Sequence, residues 1–518
     1  MKPVRLFAVR WRELAVIAIF GVGFAGCAAR SVTTAGEASS IAVVTQEGGS
    51  RASVIPVPTG PAPGFEVPTP HVFTLANGVD VWLLHFADTP LISLSFIFEG
   101  GARVDPAGKE GLAYIAGDLL DEGTGELDAL QLADEINFLG AQLSVGSDRG
   151  STVLSLQVLA RNFEPTLDIA ARCLLQPRLA ADDFVRIKEL WGNGLKQRRD
   201  VASVVARLVA DRAFFGDQHS YGHPVSGYAS SAATIELEDV KEYYAQYLRP
   251  ERLTILVASS LPEREVRPLL ARRLGGWSVA EPTLKAVPPA QAPKGGARLI
   301  VVDKPDAPQT VVRMLVPGPA VIDPDSAPLI VANGVFGGVF TSRLSVNLRV
   351  RNGFTYGAGS RFAAEKDFGY VFVAADVFTE NTQSALVEFA REFLSLQSAG
   401  MTQDEMEKAR ASSRTQVIQG LETQSGALSL FQRALAQGQG PRRGRELFES
   451  IAETTSDAVL ESARRYLRWD QATIVLVGDR SKIDVTLQAL RAQPPTDLPG
   501  AFVLPMPEYR DRDGQRIE

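Results

Sequence analysis

A pattern that occurs twice at a fixed distance limits the folds open to this chain. YLRPERLTILVA at residues 247–258 and YLRWDQATIVLVG at residues 466–478 share Tyr, Leu, Arg, Thr and Ile at a constant offset of 219 positions. In both copies the pattern ends a helical segment and opens a β-branched strand. Solenoid repeats recur every ~20 to 50 residues, so a period this long indicates a duplicated domain.

Composition divides the chain into two blocks of similar length. The 518 residues are 45% hydrophobic and 22% charged, a normal globular composition in a chain too long for one ordinary domain. Three segments lack the composition of a core: residues 27–70, 281–296 and 493–518. We therefore expect a tether, a linker and a tail around two domains, at residues 71–280 and 297–492.

The first 26 residues have the layout of an export signal. Four basic residues, Lys2, Arg5, Arg10 and Arg12, precede the apolar run LAVIAIFGVGFAG, which is too short for a membrane-spanning helix. The run ends in FAGC, which resembles the lipobox of bacterial lipoproteins. That resemblance implies cleavage after residue 26, a lipid on Cys27, and a protein anchored in the bacterial cell envelope that faces the periplasm from the outer membrane.

Charge and cysteine content exclude other classes. The formal net charge is −7, and removal of residues 1–26 takes away four basic residues and Glu13, which makes the charge about −10. No basic tract is left to bind nucleic acid. Cys173 lies in the apolar helical run LDIAARCLL and is expected to be a buried free thiol. With Cys27 acylated, no intramolecular disulfide can form.

Local patterns predict an α+β fold. The runs GVDVWLLHF and LISLSFIFEGG have strand composition and are expected to pair with each other. Helices are predicted at residues 111–121 and 127–138, and a hairpin at residues 141–160 with its turn at 148–150. Each block is therefore expected to form a mainly antiparallel sheet with helices packed on one face.

Helix 111–121 has a polar face on which chemistry could take place. Its apolar stripe consists of Leu112, Ile115, Ala116, Leu119 and Leu120. The opposite face carries Tyr114, Gly117, Asp118 and Asp121. Two aspartates on one helical turn usually form a solvated face, and a self-sufficient hydrolase that uses Asp118 and Asp121 as a carboxylate pair is the functional alternative.

Two longer stretches together resemble one family. EGGARVDPAGKEGLAYIAGDLLDEGT at residues 99–124 follows two strands, and GGVFTSRLSVNLRVRNGFTYGAGS at residues 337–360 lies in the second block. In this order, within a tandem α+β repeat, they resemble the insulinase/pitrilysin family of zinc metallopeptidases over residues 70–490. The resemblance implies two tandem homologous domains of the insulinase and mitochondrial-processing-peptidase type.

The family resemblance also implies that this chain has lost its zinc. Active members carry H-x-x-E-H on the first helix, where two histidines bind zinc and the glutamate is the general base. Here Tyr114 and Asp118 stand at the histidine positions and Gly117 at the position of the base. The stretch that should provide a third ligand, ELWGNGLKQRRD, offers Asn193 and Gly194. We therefore expect no metal in this chain and zinc in a partner subunit.

The second motif keeps the residues that the family uses. In NLRVRNGFTYGAGS a helix is predicted to run to about Arg351, Asn352-Gly353 forms a left-handed turn, and FTYGAGSRF continues as a strand. Family members place an arginine and a tyrosine seven positions apart across this turn to hold a substrate carbonyl, which implies this role for Arg349 and Tyr356. The alternative is that Arg349 only offsets the helix dipole and Tyr356 fills the core.

The remaining candidates are weaker. His219 and His223 are four positions apart, but Gly222 and Pro224 break any helix between them, so loop capping is favoured over metal binding. Glu189 is expected to be a solvated charge. The segment GVFGGVFTSR lacks a P-loop lysine, so its glycines are expected to allow close packing.

The sequence therefore predicts the zinc-free subunit of a two-subunit peptidase. It would form a heterodimer with a zinc-bearing subunit, close its chamber, and bind an unfolded peptide by strand addition, with segment 141–147 as the candidate edge. Two alternatives stay open. One is a peptide-binding or assembly protein without a catalytic partner, like family members that became structural subunits of respiratory complexes, and the other is the carboxylate hydrolase.

Overall fold

The computed structural model describes residues 65–279, 287, 290–293 and 296–517. All elements below lie in one compact unit, Glu66–Glu518; the other unit, Met1–Phe65, falls almost entirely outside the described residues. The predicted signal, Cys27, residues 27–64 of the tether and most of the linker 281–296 also lie outside them. In the described residues no helix is both long enough and apolar enough to span a bilayer.

The first half contains eight strands and eight helices. Its strands are β1 (His71–Thr74), β2 (Asp80–His85), β3 (Leu91–Glu99), β4 (Gly123–Thr124), β5 (Leu127–Asp128), β6 (Gln142–Ser147), β7 (Ser151–Leu159) and β8 (Leu253–Ser259). Its helices are α1 (Leu112–Asp118), α2 (Ala129–Phe138), α3 (Phe163–Leu175), α4 (Ala181–Arg198), α5 (Ala202–Phe215), α6 (Ala229–Thr234), α7 (Leu237–Tyr247) and α8 (Glu263–Leu274).

The second half repeats this arrangement with six strands. The strands are β9 (Arg298–Asp303), β10 (Gln309–Gly318), β11 (Thr355–Ala364), β12 (Gly369–Phe378), β13 (Thr473–Gly478) and β14 (Pro507–Arg510). The helices are α9 (Ser326–Asn333), α10 (Thr382–Ser398), α11 (Gln403–Leu421), α12 (Gln424–Ala436), α13 (Arg443–Glu453), α14 (Ser456–Tyr466) and α15 (Arg480–Ala492). Two π-helical turns, Gly334–Gly338 and Ser345–Arg351, follow α9.

Strand order confirms the duplicated, antiparallel-rich α+β fold. The first sheet has the order β6-β7-β3-β8-β2-β1, and the second has the order β11-β12-β10-β13-β9-β14. Five positions correspond one to one, and the repeated sequence pattern opens β8 and β13 at the same place in each sheet. The sixth position is filled by the first strand of one half and by the last strand of the other.

The predicted hairpin is confirmed, and one predicted pairing is wrong. β6 and β7 pair antiparallel across the turn at 148–150. β2 and β3 do not pair with each other, because β8 lies between them, parallel to β2 and antiparallel to β3. A strand that arrives from more than 150 residues later in the chain takes the central place, which no local pattern could reveal.

Helices cover both faces of each sheet, and the two halves supply each other's outer layer. Within each half, one face packs on that half's own helices, as the sequence predicts. The other face of the first sheet packs on α11 to α13 of the second half, through residues such as Leu428 and Phe431. The other face of the second sheet packs on α5 of the first half, through residues such as Val209 and Phe214. Burial on both faces explains the continuous apolar runs of the central strands.

The predicted tether and tail are partly ordered, which corrects both expectations. Val67 is 1% exposed and packs in the cluster between the first sheet and α11 to α13. In the tail, β14 pairs parallel with β9, and Glu508 forms a bidentate ion pair with Arg298. The Phe502 ring stacks on Trp469 with ring centroids 5.9 Å apart. Proline-rich composition indicated a free tail, but a few apolar side chains and an open sheet edge suffice to bind it.

Candidate functional site

Helix α1 begins where a carboxylate caps it. Asp105 accepts hydrogen bonds from the backbone N–H groups of Gly111 and Ala113, at 2.7 and 2.8 Å. Gly111 has φ +100°, a conformation that favours glycine, and a Cβ there would lie 2.7 Å from the Trp191 ring. Burial raises the pKa of Asp105 to about 8, although the N–H groups that it accepts from act against this. The predicted helix is confirmed in place but ends earlier, at Asp118.

Packing fills the positions where the family carries its first ligand and its base. The Tyr114 ring lies against Trp191 of α4, with centroids 6.1 Å apart. A Cβ on Gly117 would lie 3.2 Å from Oγ of Ser147 in β6. That hydroxyl donates to the carbonyl oxygen of Ala113 at 2.7 Å, so β6 is held close to α1 at this point. A side chain at position 117 therefore requires the Ser147 hydroxyl to move aside, which disturbs its bond to Ala113.

The third ligand position lies in open space. Gly194 sits in the interior of α4, and a Cβ there would have no neighbour within 4 Å. Asn193 and Glu189 are exposed on the same helix, as expected for Glu189. Among the residues that the structure describes, no group of three His, Cys, Asp or Glu side chains could hold a metal ion. A phenol, a carboxylate and two glycines do not fit zinc, which needs three nitrogen, sulfur or carboxylate donors.

The two aspartates of the first motif do not share one regular helix. Asp118 is the last residue of α1, and Asp121 lies in the turn that follows; both are partly buried. Cys173 on α3 is fully buried and free, as predicted. Burial raises the pKa of its thiol to about 12, and the negative charge of Asp121 adds to this effect. Because both carboxylates are partly buried and only Asp118 lies on α1, the structure gives no support to a solvent-exposed carboxylate pair on one helical turn.

The two close histidines have structural contacts. Nδ1 of His219 accepts the backbone N–H of Tyr221 at 2.9 Å, and its Nε2 lies 2.7 Å from the carbonyl oxygen of Gln291. The ring stacks on Phe215, with centroids 4.9 Å apart. Burial lowers the pKa of both His219 and His223. These contacts bear out the loop-capping interpretation for His219.

The turn that carries the second motif has the predicted geometry. The π-helical turn ends at Arg351, Gly353 has φ +65°, and β11 starts at Thr355. The backbone N–H of Phe354 donates back to the carbonyl oxygen of Leu348 at 2.9 Å, which closes the turn. β11 then has an irregular register with β12 between Thr355 and Ala358, so Tyr356 lies in a bulge. Bulges re-aim side chains next to binding sites, and π-helical turns are frequent at functional sites.

Of the two predicted donors, Tyr356 points away from the core and Arg349 is partly buried. Tyr356 is 81% exposed, and its ring touches only the edge of Phe378 among the described ring contacts. The guanidinium carbon of Arg349 lies 4.6 Å from the centre of the Phe340 ring, which is itself 63% exposed. Neither side chain makes a hydrogen bond or an ion pair within the described part of the chain. The alternative that Tyr356 fills the core is therefore wrong.

Close packing explains the glycines that precede this turn. A Cβ on Gly337 would lie 2.4 Å from Oγ of Ser360 in β11, and one on Gly334 would lie 3.0 Å from Cβ of Ala409 in α11. Oγ of Ser360 donates to Oδ1 of Asn333 at 2.6 Å. The glycines thus bring the first π-helical turn onto β11, as predicted.

The structure also places the candidate peptide edge. β6 is the outer strand of the first sheet, and its residues alternate between exposed and partly buried positions. Sequence reasoning missed that β11, the strand of Tyr356, is the equivalent outer strand of the second sheet. It also missed the exposed apolar side chains beside Arg349, Phe340 and Val350. The duplication could have revealed the first of these, because it maps β6 onto β11.

Comparison with known proteins gives two family matches. Residues 81–213 match the model of insulinase, peptidase family M16, and residues 234–413 match the model described as the peptidase M16 inactive domain. Together the two matches cover more than half of the chain.

Several known proteins are similar over most of the chain. An uncharacterised zinc protease of Mycobacterium leprae is 25% identical over 412 residues, 79% of this chain and 92% of that protein. Subunit 1 of the mitochondrial cytochrome b-c1 complex of Caenorhabditis elegans is 25% identical over 428 residues, 79% and 88% of the two chains. A Helicobacter pylori protein named a non-peptidase homolog is 23% identical over 336 residues, 63% and 75%.

A solved structure shares the fold. The crystal structure of a peptidase M16 inactive domain from Pseudomonas fluorescens superposes with a TM-score of 0.71 at 22% identity. The match covers 79% of this chain and 98% of that one.

Proposed function

The chain belongs to the M16 (insulinase) family of peptidases as a member without the zinc ligands, and from that premise we propose that it is the zinc-free subunit of a two-subunit peptidase. In this proposal a partner supplies the metal and the general base. This chain closes the chamber and binds the peptide. Neither chain alone would hydrolyse it.

One observation carries the proposal. The zinc-motif positions of the first half are filled by packing, whereas the donors of the second half have no partner among the described residues. The α1 positions of the first half are occupied by packing against Trp191 and Ser147. Tyr356 of the second half is exposed, Arg349 is partly buried, and no described protein group satisfies the hydrogen-bond donors of either side chain. A chain with a purely structural role has no need to keep two unsatisfied donors on either side of this turn.

The chemistry of those donors suits peptide hydrolysis. Negative charge develops on the carbonyl oxygen of a peptide bond under attack, and donors aimed at that oxygen lower the barrier. A guanidinium and a phenol are donors of this kind. The β6 edge would hold the peptide as an added strand, since an outer strand offers unpaired N–H and C=O groups.

Reconstitution with a zinc-bearing family member from the same organism tests this function. We expect the purified chain to contain no stoichiometric zinc and to cleave no unfolded peptide, and the mixture to cleave a quenched-fluorescence peptide with sensitivity to chelators. One tightly held zinc in the isolated chain, with chelator-sensitive cleavage, would exclude the proposal. So would a failure of every zinc-bearing member to bind the chain or to gain activity from it.

We also propose that the protein is lipid-anchored in the bacterial envelope. The support is the sequence FAGC at the end of a signal-like run, which lies outside the described residues. Acyl chains add about 0.8 kcal/mol of membrane affinity per buried CH₂. Cys27→Ser should abolish lipid labelling and move the protein to the soluble envelope fraction. A variant that stays membrane-bound at full length would show a transmembrane anchor instead.

A second candidate is an assembly protein without a catalytic partner. It is favoured by the similarity to a subunit of the cytochrome b-c1 complex, whose name describes membership of an assembly. The two functions differ in what co-purifies. A chain with H-x-x-E-H favours the peptidase, and a stable complex without such a chain favours assembly.

A further inference from the structure

The outer strands β6 and β11 of the two sheets each end in a turn, and two oppositely charged residues, one from each turn, contact the same side chain. β6 is followed by the turn that contains Arg149, and β11 is followed by the turn that contains Glu365. A third residue, Tyr221, comes from the loop between α5 and α6. These three side chains lie apart from the candidate site described above, and they join its two edge strands.

Tyr221 contacts both charged residues. Its hydroxyl donates to Oε2 of Glu365 at 3.1 Å. The guanidinium carbon of Arg149 lies 4.9 Å from the centre of the Tyr221 ring, a cation–π distance. Tyr221 is 7% exposed, so this contact is shielded from water. A chain of three side chains therefore runs from the end of β6 to the end of β11.

Arg149 is fixed on its own side by two further bonds. Its Nη2 donates to Oδ2 of Asp211 on α5 at 2.7 Å, and its Nη1 donates to the carbonyl oxygen of His223 at 3.0 Å. Asp211 is 4% exposed and also accepts from Nε of Arg207 at 2.9 Å. The β6–β7 turn is thus attached to the helix that covers the second sheet.

The fold does not need the hydroxyl–carboxylate bond to hold the Tyr221 ring. Phe368, Phe215 and His219 already surround that ring, with centroids at 4.9, 5.6 and 5.8 Å. Burial raises the pKa of Glu365, against the effects of Tyr221, Arg149 and Arg361. The ionised carboxylate is therefore less stable in the folded chain than in the unfolded chain.

We propose that Arg149, Tyr221 and Glu365 form a tie that holds the β6 edge at a set position relative to the second half, as positioning residues for a peptide on that edge. The last part rests on the proposed function, because it assumes that β6 accepts a peptide. The tie itself is a property of the isolated chain. It can be measured without partner or substrate.

Hydrogen exchange of the full-length protein tests the tie. In Tyr221→Phe and in Glu365→Met, amides in residues 144–152 and 363–369 should exchange about three- to tenfold faster, the factor that matches the net contribution of one hydrogen bond. The double variant should be no faster than the single ones, because both remove the same link. Glu365→Gln keeps an acceptor oxygen for the Tyr221 hydroxyl and should leave this exchange unchanged.

Tyr370→Phe is the matched control. Tyr370 is a buried tyrosine between the same halves, and its hydroxyl accepts a bond from Arg207 at 3.2 Å instead of contacting Glu365. This variant should leave exchange at residues 144–152 unchanged. If Tyr370→Phe accelerates amide exchange as much as the test variants do, the substitutions loosen the protein in general. If neither test variant changes the exchange, no tie exists. Either result overturns the proposal.

Activity measurements separate this inference from the proposed function. In an active complex, Tyr221→Phe should raise KM and leave kcat unchanged, because the tie places the peptide and does not touch the reacting bond. If the variants change the exchange pattern but the chain never supports peptidase activity, the tie is confirmed and the proposed function is refuted. Full activity with unchanged KM in a variant with accelerated exchange would refute the positioning role.

Discussion

Gly117 and Gly194 stand at two positions of the lost zinc motif, and they differ in how much space each offers to a larger side chain. A Cβ on Gly117 approaches Ser147 at 3.2 Å, whereas a Cβ on Gly194 meets nothing within 4 Å. We expect Gly117→Glu to lower the free energy of unfolding by about 1 to 3 kcal/mol, since the Ser147 hydroxyl must give way to the side chain. The matched variant Gly194→Glu should be neutral or slightly stabilising, because glutamate is the better helix former. Urea unfolding measures both, and equal effects would contradict the steric account.

Arg349 and Tyr356 at the second motif yield the functional prediction at this scale. In the active complex, Tyr356→Phe or Arg349→Ala should leave the partner bound and lower kcat/KM by roughly 10² to 10³, as for the loss of one oxyanion donor. The loss should lie mainly in kcat if the contact forms in the transition state, and mainly in KM if the pair only holds the peptide backbone.

Arg351 provides the control for that prediction. It lies two positions from Arg349 on the same π-helical turn and is exposed. Arg351→Ala should retain full kcat/KM. Full activity in all three variants would remove Arg349 and Tyr356 from the site and move the assembly function ahead.

Helix α11 illustrates stability at the scale of an element. Glu405 closes a capping box with Thr402 and forms a bidentate ion pair with Arg343 at 2.7 and 2.8 Å. The bonds from Arg343 lower the pKa of Glu405 to about 2, from an ordinary value of 4.5. Because the folded pKa lies below the unfolded one, the stabilisation is complete above pH 4.5 and is lost as pH falls toward 2.

Glu405→Gln should therefore destabilise the protein by about 1 kcal/mol at pH 7, with the difference from wild type shrinking between pH 5 and pH 2. Asp404→Asn is the control, because Asp404 pairs with Lys408 on the exposed face of the same helix. Thermal unfolding across this pH range measures both. A difference that does not depend on pH would show that the ion pair contributes nothing.

At the scale of the whole molecule, each half contributes helices that cover one face of the other half's sheet. Helix α5 covers the second sheet and α11 to α13 cover the first, so neither half has a complete core alone. The C-terminal segment adds to this connection, since Nη1 of Arg212 on α5 donates to the carbonyl oxygen of Asp513 at 2.9 Å. The chain is therefore one stability unit despite its duplicated sequence.

Truncation after Gln493 tests the contribution of the tail. The shortened chain loses β14 beside β9 and the Phe502 ring on Trp469. We expect a loss of about 3 to 5 kcal/mol, because each large apolar side chain that is re-exposed costs about 1.5 to 3 kcal/mol. Truncation after Asp511 keeps β14 and should cost much less. An unchanged Tm in the shorter chain would restore the interpretation of this segment as a free tail.

The sequence by itself determined what depends on local pattern and on duplication. The period of the repeat, the hairpin at 141–160, the turn at Gly353 and the residues lost from the first motif were all readable, because each depends on neighbouring residues. The exposure of Tyr356 was open, because a strand tyrosine has the same local pattern whether it faces solvent or core.

Only the tertiary structure decided which distant segments meet. Residues far apart in the chain meet where β8 inserts between β2 and β3 and where β14 pairs with β9. They also meet where α5 covers the second sheet and α11 to α13 cover the first. The link from Arg149 through Tyr221 to Glu365 is a further contact of this kind. Such contacts form where burial of two apolar faces or pairing of a sheet edge is most favourable for the whole chain. That free energy is a property of the assembled layers, so no single stretch of sequence records it.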